Sequence, residues 1–297
     1  MALIDAAKTL ARVRADAPPV ARLARISLTS ADAAALARFY EHALGCRCVG
    51  SERRESRAFE SLMQVQGGAT AFILQSGAQW LELLQFDHPG RSYPRDADAA
   101  ALIFQHFAIV VTDMAAAYQR LRAGQGWEAI SRGGPQQLPG SSGGATAFKF
   151  RDPEGHPLEL LAPRLSVNAG ADAAAGGVFS GIDHSAISVS DTARSVSYYT
   201  AFGLAVSGGS INSGIEQERL DDLTSPHVEV TSLTGMNTTP PHLELLCYRR
   251  PRPQLYPPLA SNDIATTRLI FQRASEMPAS QLSQRCIDPD GHHLIFE

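Results

Sequence analysis

The chain has 297 residues, 44% of them hydrophobic, enough for one large buried core or for two domains of ordinary size. Its 26 basic and 30 acidic residues are scattered without long runs, and a formal charge of −4 excludes an electrostatic footprint for nucleic acid or an anionic membrane. No apolar stretch approaches the roughly 20 residues of a spanning helix, so a small-molecule partner is expected and no membrane anchor.

Residues 1–22 open with MALIDAAKTLARVRADAPPV, lack the continuous apolar core of a secretory signal, and are expected to form an exposed amphipathic helix or arm. This reading places the protein in the cytoplasm. Cys46, Cys48, Cys247 and Cys286 make no CxxC pair, so reduced thiols are expected. Cys46 and Cys48 in GCRCVG are expected to pack rather than to hold a soft metal.

From residue 23 the chain repeats itself. ARISLTSAD, QHFAIVVTD and DHSAISVSD align on Asp32, Asp113 and Asp191, and the residues seven before these are Arg25, His106 and His184. Each phrase has strand composition. Small and apolar residues at helical spacing follow in AAALARFYEHALGC, MAAAYQRLRAGQGW and TARSVSYYTAFGL, with Gly45, Gly124 or Gly126, and Gly203 as stop signals. Strand-like segments then stand between Gly, Pro and Ser clusters, among them TAFILQ, TAFKF and VEVTSL. Each copy closes on LELL, and the spans from opening position to glutamate are 57, 53 and 60 residues (82−25, 159−106 and 244−184).

The unit is therefore a strand, a helix and about three strands. A fourth copy runs from ATTRLIFQ to DPDGHHLIFE, whose DPDGHHL echoes DPEGHPL at Asp152 to Leu158. Thr267 to Ile295 is only 28 residues (295−267), too few for a whole unit. The expected organisation is an arm over 1–22, a first domain over 23–163 with modules 23–86 and 104–163, a Gly/Ala-rich linker over 164–178, and a second domain over 179–297 with module 179–249 and truncated module 264–297.

Side chains alternate along a strand, so the glutamate of LELL points opposite to its leucine neighbours. An inward carboxylate needs a metal, a cation or a proton as partner. If the first and last strands of a unit lie side by side, the second and third units each present one histidine and one glutamate together.

These residues resemble the vicinal oxygen chelate superfamily, which contains glyoxalase I, bleomycin-resistance and fosfomycin-resistance proteins and extradiol dioxygenases. The resemblance covers nearly all of 23–297 and rests on the H-x6-D openings, Phe39-Tyr40 and Tyr198-Tyr199, the DPEGH turn and the LELL endings. It implies an α+β fold of tandem βαβββ modules, three full and one truncated, forming two cupped mixed sheets in which two modules share one divalent metal. The ligand positions it implies are Arg25 and Glu82, His106 and Glu159, His184 and Glu244, and the Thr267 region with Ile295. Pairing of modules one with two and three with four leaves neither cup with two histidines and two carboxylates. Pairing of two with three, and one with four, collects His106, Glu159, His184 and Glu244 in one cup, and leaves Arg25 to neutralise Glu82 in the other. The crossed arrangement is favoured as the simpler pattern of loss; the sequential one stays open.

The resemblance implies one divalent ion (Fe, Ni, Co, Zn or Mn), with two positions left for water or substrate in six-coordination. Glu159 or Glu244 is expected to serve also as general base. Lys149 stands where extradiol dioxygenases carry a tyrosine, and their further histidine falls among Gly140, Ser141 and Ser142. Lys149 is a candidate catalytic residue, with a solvated strand position as the alternative. Asn212, Gln217 and Tyr248 are candidate substrate contacts, and His156, His292 and His293 in the DPxGH turns are expected to be structural. The function expected is a glyoxalase-like metal-dependent lyase or isomerase acting on a small substrate chelated through vicinal oxygens, in a monomer or homodimer. The alternatives are an extradiol-type dioxygenase and a non-catalytic small-molecule binding protein.

Overall fold

Asp32, Asp113 and Asp191, which close the three opening phrases, are helix N-caps. Each accepts a hydrogen bond from the backbone N–H three residues on, at Ala35, Ala116 and Arg194, and so satisfies a donor that a first helical turn leaves orphaned. The repeated aspartate is thus a folding signal, separate from the histidine that heads the strand.

The computed structural model describes residues 18–164, 177–274 and 283–297. The expected arm up to residue 17 and the linker over 165–176 lie outside the described residues. Module one runs β1 (Val20–Thr29), α1 (Ala33–Leu44), β2 (Arg47–Arg54), α2 (Arg57–Met63), β3 (Ala69–Ser76) and β4 (Gln79–Phe86). Module two runs β5 (Gln105–Val111), α3 (Met114–Ala123), β6 (Glu128–Ala129), β7 (Gln136–Gln137), a 3-10 turn (Gly140–Ser142), β8 (Thr146–Arg151) and β9 (Pro157–Ala162). Module three runs β10 (Phe179–Ser188), α4 (Thr192–Thr200), β11 (Ala205–Ser213), α5 (Ile215–Asp221), β12 (His227–Thr234) and β13 (His242–Arg250). Module four keeps β14 (Thr267–Arg273), β15 (Gln284–Ile287) and β16 (His293–Phe296). The short helices α2 and α5, in equivalent places, have no counterpart in the sequence reading.

The described strands form two mixed sheets. One has the order β15-β16-β14-β1-β4-β3-β2, and the other β11-β12-β13-β10-β5-β9-β8-β6 with β7 paired to β8. The first joins modules one and four through antiparallel β1 and β14, the second joins modules two and three through antiparallel β5 and β10. This is the crossed arrangement. Within each module the opening strand lies parallel to the closing one, as β1 to β4, β5 to β9, β10 to β13 and β14 to β16, which sets each opening residue near its glutamate position.

Alternation then sorts the faces. Leu81 and Leu83, Leu158 and Leu160, and Leu243 and Leu245 enter one buried cluster with Phe107, Phe148 and Phe271, filled from both sheets and the helices between them. The intervening glutamates face the concave sides.

The remaining repeated phrases join the sheets. In the DPEGH turn, Asp152 accepts from the backbone N–H of Glu154 and His156 and from the Tyr40 hydroxyl at 2.9 Å. His156 donates from Nδ1 to Asp152 (2.8 Å) and from Nε2 to the carbonyls of Thr29 (2.9 Å) and Ile264 (3.1 Å). Module four repeats the device on module three, with Asp288 accepting from the Tyr199 hydroxyl and His292 reaching the Ser188 carbonyl. Tyr40, Tyr199 and the DPxGH turns are therefore adhesive, as expected for His156 and His292.

Both His156 nitrogens face acceptors, so the ring is held as an imidazolium. Burial opposes that charge, and the adjacent Asp152 carboxylate more than restores it, leaving the pKa above its ordinary value. A raised native pKa contributes stability that is complete below about pH 6.5 and is lost as pH climbs through the native value. His156→Gln is thus expected to lower stability by about 2 kcal/mol at mildly acidic pH and by progressively less at alkaline pH. Urea midpoints of both proteins across pH check this, and a gap that widens with pH would contradict it.

Candidate metal centre

The second sheet gathers side chains around two alanines. His106 on β5 stands opposite Ala186 on β10, and His184 opposite Ala108; Glu159 on β9 lies beside Ala108, and Glu244 on β13 beside Ala186. The four share one concave face, and the small alanines leave room above the sheet.

His106 Nε2 is 3.0 Å from Glu159 Oε2, and His184 Nε2 is 3.8 Å from the same oxygen and 3.6 Å from Glu244 Oε2. Ligand atoms of His106, Glu159 and His184 all lie within 4.8 Å of one another, and all three residues are buried. Glu244 is held through Oε1 by the Ser232 hydroxyl (3.1 Å) and His242 (3.3 Å). Asp183 accepts from His184 Nδ1 at 3.0 Å, which turns Nε2 toward the carboxylates. Asp183 and His242 were not singled out in the sequence, although His242 precedes Glu244 by two and so shares its face.

The electrostatics suit a cation. Burial, with the Lys149 charge, pushes His106 down to about 4, so this imidazole is neutral and free to ligate. Burial also disfavours charge on His184, yet the carboxylates of Glu244, Asp183 and Glu159 outweigh it and push the ring up to about 9. Glu159 and Glu244 are both held below the usual carboxylate range despite burial, chiefly by the adjacent histidines. Acidic groups outnumber fixed cations at the histidines, and the His184 proton occupies the place of positive charge. Two imidazole nitrogens and two carboxylates fit a borderline divalent ion, whose binding would release that proton.

These residues line a cavity of about 230 Å³ that also takes in Lys149, Asn212, Gln217 and Tyr248. Lys149 is neither solvated nor a free cation: its ammonium is buried against Asp221 at 2.7 Å. Gln217 Nε2 (2.6 Å) and the Tyr248 hydroxyl (2.8 Å) donate to the other oxygen of Asp221. Tyr248 is buried, and Gln217, also buried, lies on α5. Asn212, on β11, is partly buried and accepts from the Ser210 hydroxyl. Asp221, the hub of this network, had no place in the sequence reading.

Residues 22–160 match the family model of the Glyoxalase/Bleomycin resistance protein/Dioxygenase superfamily. Residues 22–160 thus carry a domain of this superfamily. Among solved structures it is similar to glyoxalase I from Zea mays, at 15% identity and a TM-score of 0.55 over 93% of this chain and 91% of that one. A single-site variant of the same maize protein aligns over 98% and 96% with a TM-score of 0.56. A putative dioxygenase from Bacillus subtilis subsp. subtilis str. 168 gives 11% identity and a TM-score of 0.56 over 94% and 86%. At these identities the likeness is one of fold. No curated protein sequence matches the chain.

The other cup, that of modules one and four, is built differently. Ser27 on β1 stands beside Glu82 and opposite Arg268, as Ala186 stands beside Glu244 and opposite His106. Arg25 thus holds the place of His184, Arg268 that of His106, and Ile295 that of Glu159. The sequence alignment had put Thr267 there; it falls one residue short, opposite Leu28, because the fourth copy offers neither histidine nor helix to fix the register. The neutraliser of Glu82 also differs from expectation. Arg54 approaches to 2.5 Å and Ser27 Oγ to 2.7 Å, whereas Arg25 Nε stays at 3.9 Å and its terminal nitrogens hold Glu297.

Proposed function

We propose that the protein is a divalent-metal-dependent enzyme of the lyase or isomerase type, acting on a small substrate that chelates through adjacent oxygens in the cup of modules two and three. The observation that carries this reading is the convergence of His106, Glu159 and His184 within 4.8 Å, with Glu244 beside them, from four strands of two modules. The ion (Fe, Ni, Co, Zn or Mn) would be held by these four and would supply Lewis acidity toward substrate oxygens.

The chain's own groups do the rest. In this reading Glu159 and Glu244, their carboxyls held below the usual range, accept a proton from the carbon beside the chelating oxygens and return it to the neighbouring carbon. Glu244 is the less enclosed of the two and the better placed to move. The Lys149 ammonium, paired with Asp221, offsets negative charge on the reacting substrate, while Asn212, Gln217 and Tyr248 bound the cavity and orient it. Among the described residues no helix is long and apolar enough to cross a membrane. The four free cysteines support a reducing, cytoplasmic setting.

The test is metal-dependent proton exchange. A panel of 2-hydroxycarbonyl compounds, incubated with metal-replete protein in D₂O, is expected to show deuterium at the carbon next to the carbonyl by NMR, and Glu159→Gln and Glu244→Gln should each abolish it. Oxygen uptake with catechols would replace this reading by ring cleavage. Tight binding with neither reaction would leave a sequestering protein.

A further inference from the structure

The cup of modules one and four carries its own positive charge. Arg268 is 0% exposed, and its donors reach only neutral oxygens: Ser27 Oγ at 3.3 Å, Thr29 Oγ1 at 3.0 Å and the Ser261 carbonyl at 2.8 Å. Among the described residues no carboxylate lies within ion-pair distance of it. Burial drives the Arg268 pKa down to about 10, the Glu82 carboxylate opposing and Arg285 and Arg54 adding to the fall. The buried Arg285 Nε and Arg25 Nε lack hydrogen-bond partners. A guanidinium is not retained in such surroundings without cost unless some counter-charge is available part of the time.

Arg25 also lines a cavity of about 210 Å³, together with Phe59, Leu62 and Met63 of α2, Ile270 and Ile295, and the polar Arg54, Glu82 and Glu297. Arg54 is committed to Glu82 and Glu52. Arg25 is the accessible fork: it grips the Glu297 carboxylate through two bonds of 2.9 Å, both side chains being about one-third exposed. This paired geometry is what a planar carboxylate requires, and it shows that the fork is already shaped for one.

We propose that the cup of modules one and four is a metal-independent binding site for a small organic carboxylate with an apolar body. The carboxylate displaces Glu297 from Arg25, and the body lies against Phe59, Leu62 and Ile270. The limited volume restricts the ligand to one or two fused rings or a short branched chain. Nothing in this site depends on His106, Glu159, His184 or Glu244, so it stands apart from the function proposed above.

The full chain, depleted of metal, is titrated calorimetrically with 2-naphthoate and with its neutral isostere 2-naphthamide. One equivalent of naphthoate is expected to bind, and the amide about tenfold or more weaker, since it forfeits the charge-assisted pair. Glu297→Gln removes the internal competitor and is expected to strengthen naphthoate binding severalfold, whereas Arg25→Gln weakens it about tenfold or more. His184→Ala leaves it unchanged. Equal affinity for acid and amide, no gain in Glu297→Gln, or loss in His184→Ala would each overturn the proposal. Because Glu297→Gln and the isostere leave Arg25 in place, the test holds even if Arg25→Gln does not fold.

Discussion

His106→Ala and His184→Ala are each expected to strip the same single metal ion from the chain, although the two residues are 78 positions apart (184−106). Their Nε2 atoms approach one Glu159 oxygen, at 3.0 and 3.8 Å, so each deletion opens the same ligand sphere and leaves carboxylates repelling across the gap. Loss of an orienting partner alone costs about 10–100-fold in metal affinity, and loss of a ligand should exceed that. Glu82→Gln is the contrasting variant. Glu82 lies in the other sheet, bound to Arg54 and Ser27, and its loss should leave metal content untouched. Elemental analysis after dialysis should give close to one equivalent for wild type and Glu82→Gln and close to none for either histidine variant. Metal retained in His184→Ala, or lost in Glu82→Gln, would defeat this assignment.

What the sequence made legible was whatever is repeated. Histidine, capping aspartate, aromatic pair, DPxGH turn and LELL recur in register, and each answers to a local requirement that one copy can state and another confirm: Asp113 caps α3 as Asp191 caps α4, and Asp152 receives Tyr40 as Asp288 receives Tyr199. Where a copy decays the reading slips, as at Thr267, one residue short of Arg268. What is too short for a period, or arises only between modules, was illegible. The short helices α2 and α5 span seven residues each, too few for an apolar period to show. Asp221 sits in a run of acidic residues that looks solvated. Its partner Lys149 is 72 positions away in another module, and the pair exists only because those two modules share a sheet. Neither residue's surroundings announce the other.

Lys149→Met is expected to destabilise the protein by about 3–5 kcal/mol, the largest stability effect anticipated at any one position of the site. The side chains of Lys149 and Asp221 are 5% and 0% exposed, so solvent does little to screen the pair, and removing the cation leaves a buried carboxylate with only the Tyr248 hydroxyl and Gln217 amide as donors. Burial works against the Lys149 charge, and Asp221 with Glu159 more than compensates, so the ammonium keeps its proton at neutral pH. Asp221→Asn in the Lys149→Met background removes the stranded charge while keeping an oxygen for Tyr248. The double variant should therefore recover most of the loss, with a coupling of about 2 kcal/mol or more in a double-mutant cycle. Urea unfolding of the wild type, two single variants and double variant, all metal-depleted at pH 7, gives the four free energies. A Lys149→Met loss below about 1 kcal/mol, or a double variant no more stable than Lys149→Met, would mean that water or the neighbouring imidazoles already neutralise Asp221 and that the ion pair is not what holds α5 against β8.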